Sequence, residues 1–171
     1  MTDAFTLDTD IALIGCGRLG SALVEGWLAT PGFKASRLFI IEQYETPATE
    51  QAKSAGATIN PSADQLKNVG ILLLAIKPAV WREALEPVAT VIPKDAVVAS
   101  VMAGVRLDDI QKAVDGRPVA RLMPTTAVAQ RQGVAGLYAS ESKAQTMATA
   151  LFEGMADVVP LEAEDLLDPA T

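Results

Sequence analysis

Short apolar runs alternate with longer amphipathic stretches along the whole chain, the pattern of a parallel sheet covered by helices. Residues 11–14 form the first apolar run and stop at glycine. Leu19, Leu23 and Trp27 then recur at helical spacing until Pro31 and Gly32 break the pattern. The second strand is predicted at 38–41, and Thr46 as N-cap with Pro47 at the first helical position opens a helix that should run to Gly56. After a short strand at 57–59, Ser62 and Gln65 have the spacing of a capping box and predict a short helix. Residues 71–76 are apolar without alternation, as expected of a central strand buried on both faces, and the run stops at Lys77-Pro78.

Further strands are expected at 96–101, 118–122, 134–138 and 158–159, with helices near 80–91, 107–113 and 142–155. No clear crossover helix separates 122 from 134. The last two strands are therefore expected to run antiparallel at one edge. The acidic stretch from Glu162 reads as the opening turn of another helix.

With 171 residues, half of them hydrophobic and 20% charged, the chain fits one ordered globular domain, placed at 1–161, with 162–171 as the start of a linker helix. The net charge of −7, with Lys and Arg scattered, argues against nucleic-acid or anionic-membrane partners. Histidine is absent and Cys16 is the only cysteine, which excludes an intrachain disulfide and a zinc site of Cys and His, so no metal is expected. The first ten residues lack the basic start and apolar core of a signal peptide, and no apolar run has the length of a membrane span. A cytoplasmic protein is the expectation.

Against this background one motif stands out. Gly15-Cys16-Gly17-Arg18-Leu19-Gly20 is a G-x-G-x-x-G that follows a strand and opens a helix, and Glu42 comes 22 residues after Gly20 at the end of the second strand. Together these meet the fingerprint of a dinucleotide-binding domain: an α/β, Rossmann-type doubly wound fold, mostly parallel, with helices on both faces of the sheet. Each glycine has its own reason. Gly15 permits the tight turn, Gly17 lets the backbone approach a pyrophosphate, and Gly20 lets the helix pack on the strand. The helix N-terminus attracts the diphosphate, and Arg18 is a candidate contact. A carboxylate at Glu42 can accept from both ribose hydroxyls and repels a 2′-phosphate, so NAD(P)H is the expected cofactor with NADH favoured. Lys77 and Pro78 lie just beyond a central strand's carboxyl end, where ligands bind in such sheets.

In order and spacing the chain from Asp10 to Thr171 resembles the N-terminal domain of pyrroline-5-carboxylate reductase. Leu74-Ala75-Ile76-Lys77-Pro78 resembles the family's Leu-Ala-Val-Lys-Pro, and 100–105 resembles a strand end with Ala-Ala-Gly. Residues 121–126, Arg-Leu-Met-Pro-Thr-Thr, resemble Arg-x-Met-Pro-Asn-Thr-Pro. The resemblance implies that Ala75, Ile76, Lys77, Pro78, Met102, Ala103, Gly104, Pro124 and Thr125 line the cofactor site, the last two loops beside the nicotinamide. It also implies that Ser62, where the family often has Asn, lies toward the adenosine. Met102, Thr125 and Ala127 depart from the family's Ala, Asn and Pro around the ring.

The implied reaction is reduction of the C=N bond of 1-pyrroline-5-carboxylate to L-proline, the last step of proline biosynthesis. Positioning of two bound molecules supplies most of the catalysis, and no catalytic side chain is identifiable in this chain. The family's helical dimerisation domain, with its Ser-Gly-Ser-Gly-Pro loop, is absent from this sequence, so the chain alone is expected to bind cofactor and reduce imine poorly. The alternatives are another reductase with this domain, such as a 6-phosphogluconate or 2-hydroxyacid dehydrogenase relative, and a non-catalytic NAD(P)-sensing module.

Overall fold

A computed structural model describes residues 4–168. An eight-stranded sheet in the order β3-β2-β1-β4-β5-β6-β7-β8 forms its centre. The strands are β1 (Asp10–Ile14), β2 (Leu38–Ile41), β3 (Thr58–Ile59), β4 (Val69–Leu74), β5 (Val97–Ser100), β6 (Val119–Pro124), β7 (Gly133–Ala139) and β8 (Ala156–Pro160). The helices are α1 (Arg18–Ala29), α2 (Pro47–Ala55), α3 (Trp81–Ala89), α4 (Leu107–Ala113) and α5 (Ser142–Leu151).

β1 to β6 pair in parallel, β7 runs antiparallel to β6, and β8 is parallel to β7. The antiparallel edge expected from the sequence is therefore present. A 3₁₀ turn at Thr126–Gln130 joins β6 to β7, too short to carry the chain back for a parallel strand.

Side chains of alternate parity along the strands feed two cores. Leu13, Leu73 and Ala99 face one side, where they meet Leu23 and Trp27 of α1, Ala52 of α2 and Ala148 of α5. Ile14, Leu72 and Val98 face the other, against Leu85 of α3 and Ile110 of α4. Burial on both faces explains why β4 reads as an unbroken apolar run; each buried Leu there contributes roughly 1.5–3 kcal/mol. Among the described residues no helix is long and apolar enough to cross a membrane.

Several boundaries differ from the sequence expectation. β4 ends at Leu74, not Ile76, because its neighbour β1 ends at Ile14; the Ala75 N–H takes the last carbonyl, that of Ile14, at 2.9 Å, and Ile76 enters the loop. β6 runs on to Pro124 because β7 pairs with it as far as Ala135. α5 stops at Leu151, not Met155: Gly154 turns the chain at φ 79°, and β8 begins at Ala156, two residues before the predicted start. The predicted helix at 80–91 divides into a 3₁₀ turn at Pro78–Val80 and α3, with Pro87 in its last turns. The acidic stretch after Glu162 forms a 3₁₀ turn at Glu164–Leu166; the expected continuation into a helix beyond 168 lies outside the described residues.

Candidate functional site

Every sequence-predicted site residue falls at the carboxyl end of a parallel strand, along one edge of the sheet. In spatial order they are Ser62 after β3, Glu42 after β2, Gly15 to Gly20 after β1, Ala75 to Pro78 after β4, Met102 to Gly104 after β5, and Pro124 with Thr125 at the end of β6. β1 lies where the connections diverge, to β2 on one side and to β4 on the other. Such a switch point opens a crevice in doubly wound sheets.

The glycine-rich turn is locked from below and open above. Gly15 has φ 95°, and a Cβ there would stand 2.4 Å from the Ala75 carbonyl oxygen. A Cβ on Gly20 would stand 2.4 Å from the Gly15 carbonyl oxygen, which is how closely α1 lies on the turn. Around Gly17 nothing stands within 4 Å of the corresponding position. Gly17 is also the N-cap of α1, with no side-chain cap and no acidic residue in the first turn, so the first N–H groups of this 12-residue helix face an open cradle. A dinucleotide's diphosphate fits such a cradle, because backbone donors and the helix dipole both favour negative charge there. Arg18 stands exposed at the same turn.

Glu42 stands beside the glycine-rich turn, just past the carboxyl end of β2. Its carboxylate accepts from the Cys16 N–H at 2.6 Å and from the Tyr44 N–H at 3.1 Å. Its backbone is fixed by Asn60, whose side chain accepts the Glu42 N–H and donates to the Glu42 carbonyl, both at 3.0 Å. The sequence reading missed Asn60. Its signal was faint: an Asn immediately after a short strand, here at φ 52°, a conformation Asn adopts more readily than most residues. Ser62 lies two residues further, its N–H bonded to the Gln65 side chain at 2.9 Å as the capping-box spacing predicted.

The Cys16 side chain points down into the core, within 3.7 Å of the Ser21 hydroxyl. Burial pushes its thiol pKa above the ordinary 9.0, against the smaller opposing effect of the Ser21 and Thr46 hydroxyls. Native protein is therefore expected to resist a disulfide reagent at pH 8 that labels the unfolded chain within minutes. Equally fast labelling in both states would contradict the burial. Because folding disfavours the thiolate, this group's contribution to stability is complete below pH 9.0 and declines as pH rises through the higher folded value.

At the other end, Met102 is 3% exposed, its side chain turned into the core beneath α3 and α4, and its N–H bonds the Ser100 hydroxyl at 3.1 Å. The replacement of a small Ala by Met is thus absorbed by the core rather than presented at the crevice. Ala103 and Gly104, φ 72°, form the exposed tip of that loop. Thr125 is exposed, and its hydroxyl accepts from the Val134 N–H at 3.2 Å. Lys77 is exposed beside Pro78, which opens the 3₁₀ turn before α3.

Comparison with known proteins agrees with this geometry. The family model for NADP oxidoreductase, coenzyme F420-dependent, matches residues 10–104, from β1 through the loop after β5. Pyrroline-5-carboxylate reductase 1 of Dictyostelium discoideum is 26% identical over 129 residues, covering 74% of this chain and 23% of that protein. The structure of a pyrroline-5-carboxylate reductase from Coxiella burnetii superposes with a TM-score of 0.80 at 22% identity, over 93% of this chain and 61% of that one. The Plasmodium falciparum pyrroline carboxylate reductase with NADP bound gives a TM-score of 0.76 at 17% identity, over 93% and 60%. The chain thus spans less than two thirds of each of these proteins. With the family model covering more than half of its length, the chain belongs to the NADP oxidoreductase, coenzyme F420-dependent family.

Proposed function

We propose that this chain is the cofactor-binding part of a pyrroline-5-carboxylate reductase and that it binds NADH in preference to NADPH. The observation that carries the reading is the open cradle at Gly17, bounded by a turn and a helix too tightly packed at Gly15 and Gly20 to accept any side chain. The similarity to curated pyrroline-5-carboxylate reductases supplies the substrate, a cyclic imine.

A reduced nicotinamide held along this sheet edge would supply the hydride for the imine carbon, with a proton going to the nitrogen, to give L-proline and the oxidised cofactor. The chain's own residues hold and orient. The N–H groups opening α1 bind the diphosphate, Glu42 accepts from the adenosine ribose hydroxyls, and the loops 102–104 and 124–125 flank the ring position. Glu42 already binds two backbone N–H groups, so its negative charge is held in place and opposes a 2′-phosphate. Met102 turns its side chain into the core and the Thr125 hydroxyl accepts from β7, so the fold accommodates both departures from the family pattern; this favours a working reductase over a sensing module.

Parallel titrations with NADH and NADPH, followed by energy transfer from Trp27 and Trp81 and by calorimetry, test both parts. Binding of NADH about tenfold tighter than NADPH is expected, on the order of 1.4 kcal/mol. Tighter NADPH binding would overturn the role of Glu42. Failure of both at millimolar concentration would overturn the cofactor reading itself.

A further inference from the structure

A buried charge cluster joins β6, the start of α4 and the segment 164–168. Arg121 on β6 is 1% exposed, and its guanidinium donates to Glu164 at 2.8 Å and to Asp168 at 3.0 Å. Glu164, itself 9% exposed, uses the same carboxylate for two further partners: the Leu107 N–H at 2.6 Å and the Arg106 guanidinium at 3.1 Å. Arg106 also pairs with Asp165 at 2.6 Å, a contact that raises its pKa further above the ordinary range.

A single carboxylate therefore touches both elements that carry the ring-side loops. The loop after β5 is pinned at its near end by the Met102 N–H on Ser100 and at its far end, at Arg106 and Leu107, by Glu164. Only Ala103 and Gly104 stand exposed between the two anchors, and Gly104, at φ 72° with nothing within 4 Å of a Cβ position, has no packing of its own to hold it. β6 is paired with β5 through Ser100 and Arg121, and two residues after Arg121 it delivers Met123 and Pro124. Arg121 is buried with its Nε unpartnered among the described residues, so its position depends on the two carboxylates from the segment 164–168.

We infer that Glu164 is a positioning residue for the nicotinamide half of the cofactor: from the segment that leaves the sheet, it sets the spacing of the loops after β5 and β6. This rests on the proposed cofactor reading. A charge-conserving framework of this kind fixes geometry more than it adds stability, because the cost of burying the charges offsets much of their attraction. The segment after β8 thereby becomes part of the site without touching the cofactor.

The test compares NADH with ADP-ribose, which keeps the adenosine and diphosphate and lacks the nicotinamide. In Glu164→Gln, NADH affinity is expected to fall about tenfold while ADP-ribose affinity changes less than about twofold, since a loosened loop loses orientation only at the ring end. Arg106→Gln, which removes a half-exposed arm of the cluster, guards against misfolding of the first variant and should shift NADH in the same direction by a smaller factor. Glu162→Gln, exposed and outside the cluster, should change neither. Equal loss of NADH and ADP-ribose affinity in a folded Glu164→Gln, or no loss of either, would overturn the inference and leave the cofactor reading intact. If the unsubstituted chain binds neither ligand, the cofactor reading fails and the inference with it.

Discussion

Gly17→Ala is expected to weaken NADH binding on the order of 100-fold while leaving the melting temperature within experimental error, whereas Gly15→Ala is expected to lower the melting temperature by roughly 10 °C. The two residues stand two apart in one turn, and their surroundings are opposite. At Gly15 an added methyl meets the Ala75 carbonyl oxygen and the Ile76 side chain, both at 2.4 Å, in a backbone conformation of φ 95° that residues with a side chain rarely adopt. Neither obstacle can yield cheaply, because the Ala75 N–H is itself bonded to β1. Steric conflict and backbone strain together should cost about 3 kcal/mol or more. At Gly17 the backbone has φ −74° and the methyl would enter open space, so the free protein pays almost nothing. That open space is where the diphosphate must approach the N–H groups of α1, and a methyl there should weaken binding on the order of 100-fold. Thermal melts and NADH titrations of the two variants check this. Intact NADH affinity in Gly17→Ala would move the diphosphate elsewhere and with it the whole site.

The contrast shows why this end of the site was legible from the sequence. A G-x-G-x-x-G carries its reasons locally: the turn, the close approach and the packing are properties of backbone geometry within six residues. The alternation of apolar runs with helical periods likewise revealed the doubly wound sheet, because β1, β4 and β5 are buried on both faces and their composition records it. Boundaries were less visible where a neighbouring strand decides them. β4 stops at Leu74 because β1 has ended, although Ala75 and Ile76 are as apolar as the residues before them. Least legible were contacts made across long sequence distances. Glu164 lies 43 residues from Arg121 and 57 from Leu107, and in the sequence it is one acidic residue in an acidic stretch. Asn60 was hidden for a related reason: what makes it useful is the position of Glu42, 18 residues earlier.

Arg117→Met is expected to produce the largest loss of stability among substitutions far from the crevice, about 3 kcal/mol, or a fall of roughly 10 °C in melting temperature for a domain of this size. Arg117 lies between the end of α4 and the start of β6. In the structure Arg117 is 5% exposed and its guanidinium fills a cage of carbonyls: Nε donates to Pro93 at 3.0 Å, Nη1 to Val114 at 3.1 Å, and Nη2 to Ala89 at 3.0 Å and Ile92 at 3.1 Å. These carbonyls gather at the carboxyl ends of α3 and α4, where the helix dipoles present negative charge. The cation is therefore stabilised by the ends of two helices, with no carboxylate partner among the described residues. Methionine keeps much of the volume and leaves these acceptors without their donor. Lysine keeps the charge but has one nitrogen, which cannot reach carbonyls arranged around a planar fork, so Arg117→Lys should lose roughly half as much. Because Arg117 precedes β6, at the sheet edge opposite the glycine-rich turn, NADH affinity of the folded fraction should not change in either variant. A fall of less than about 2 °C in Arg117→Met would mean that water replaces the guanidinium without loss, and that α3 and α4 do not depend on it.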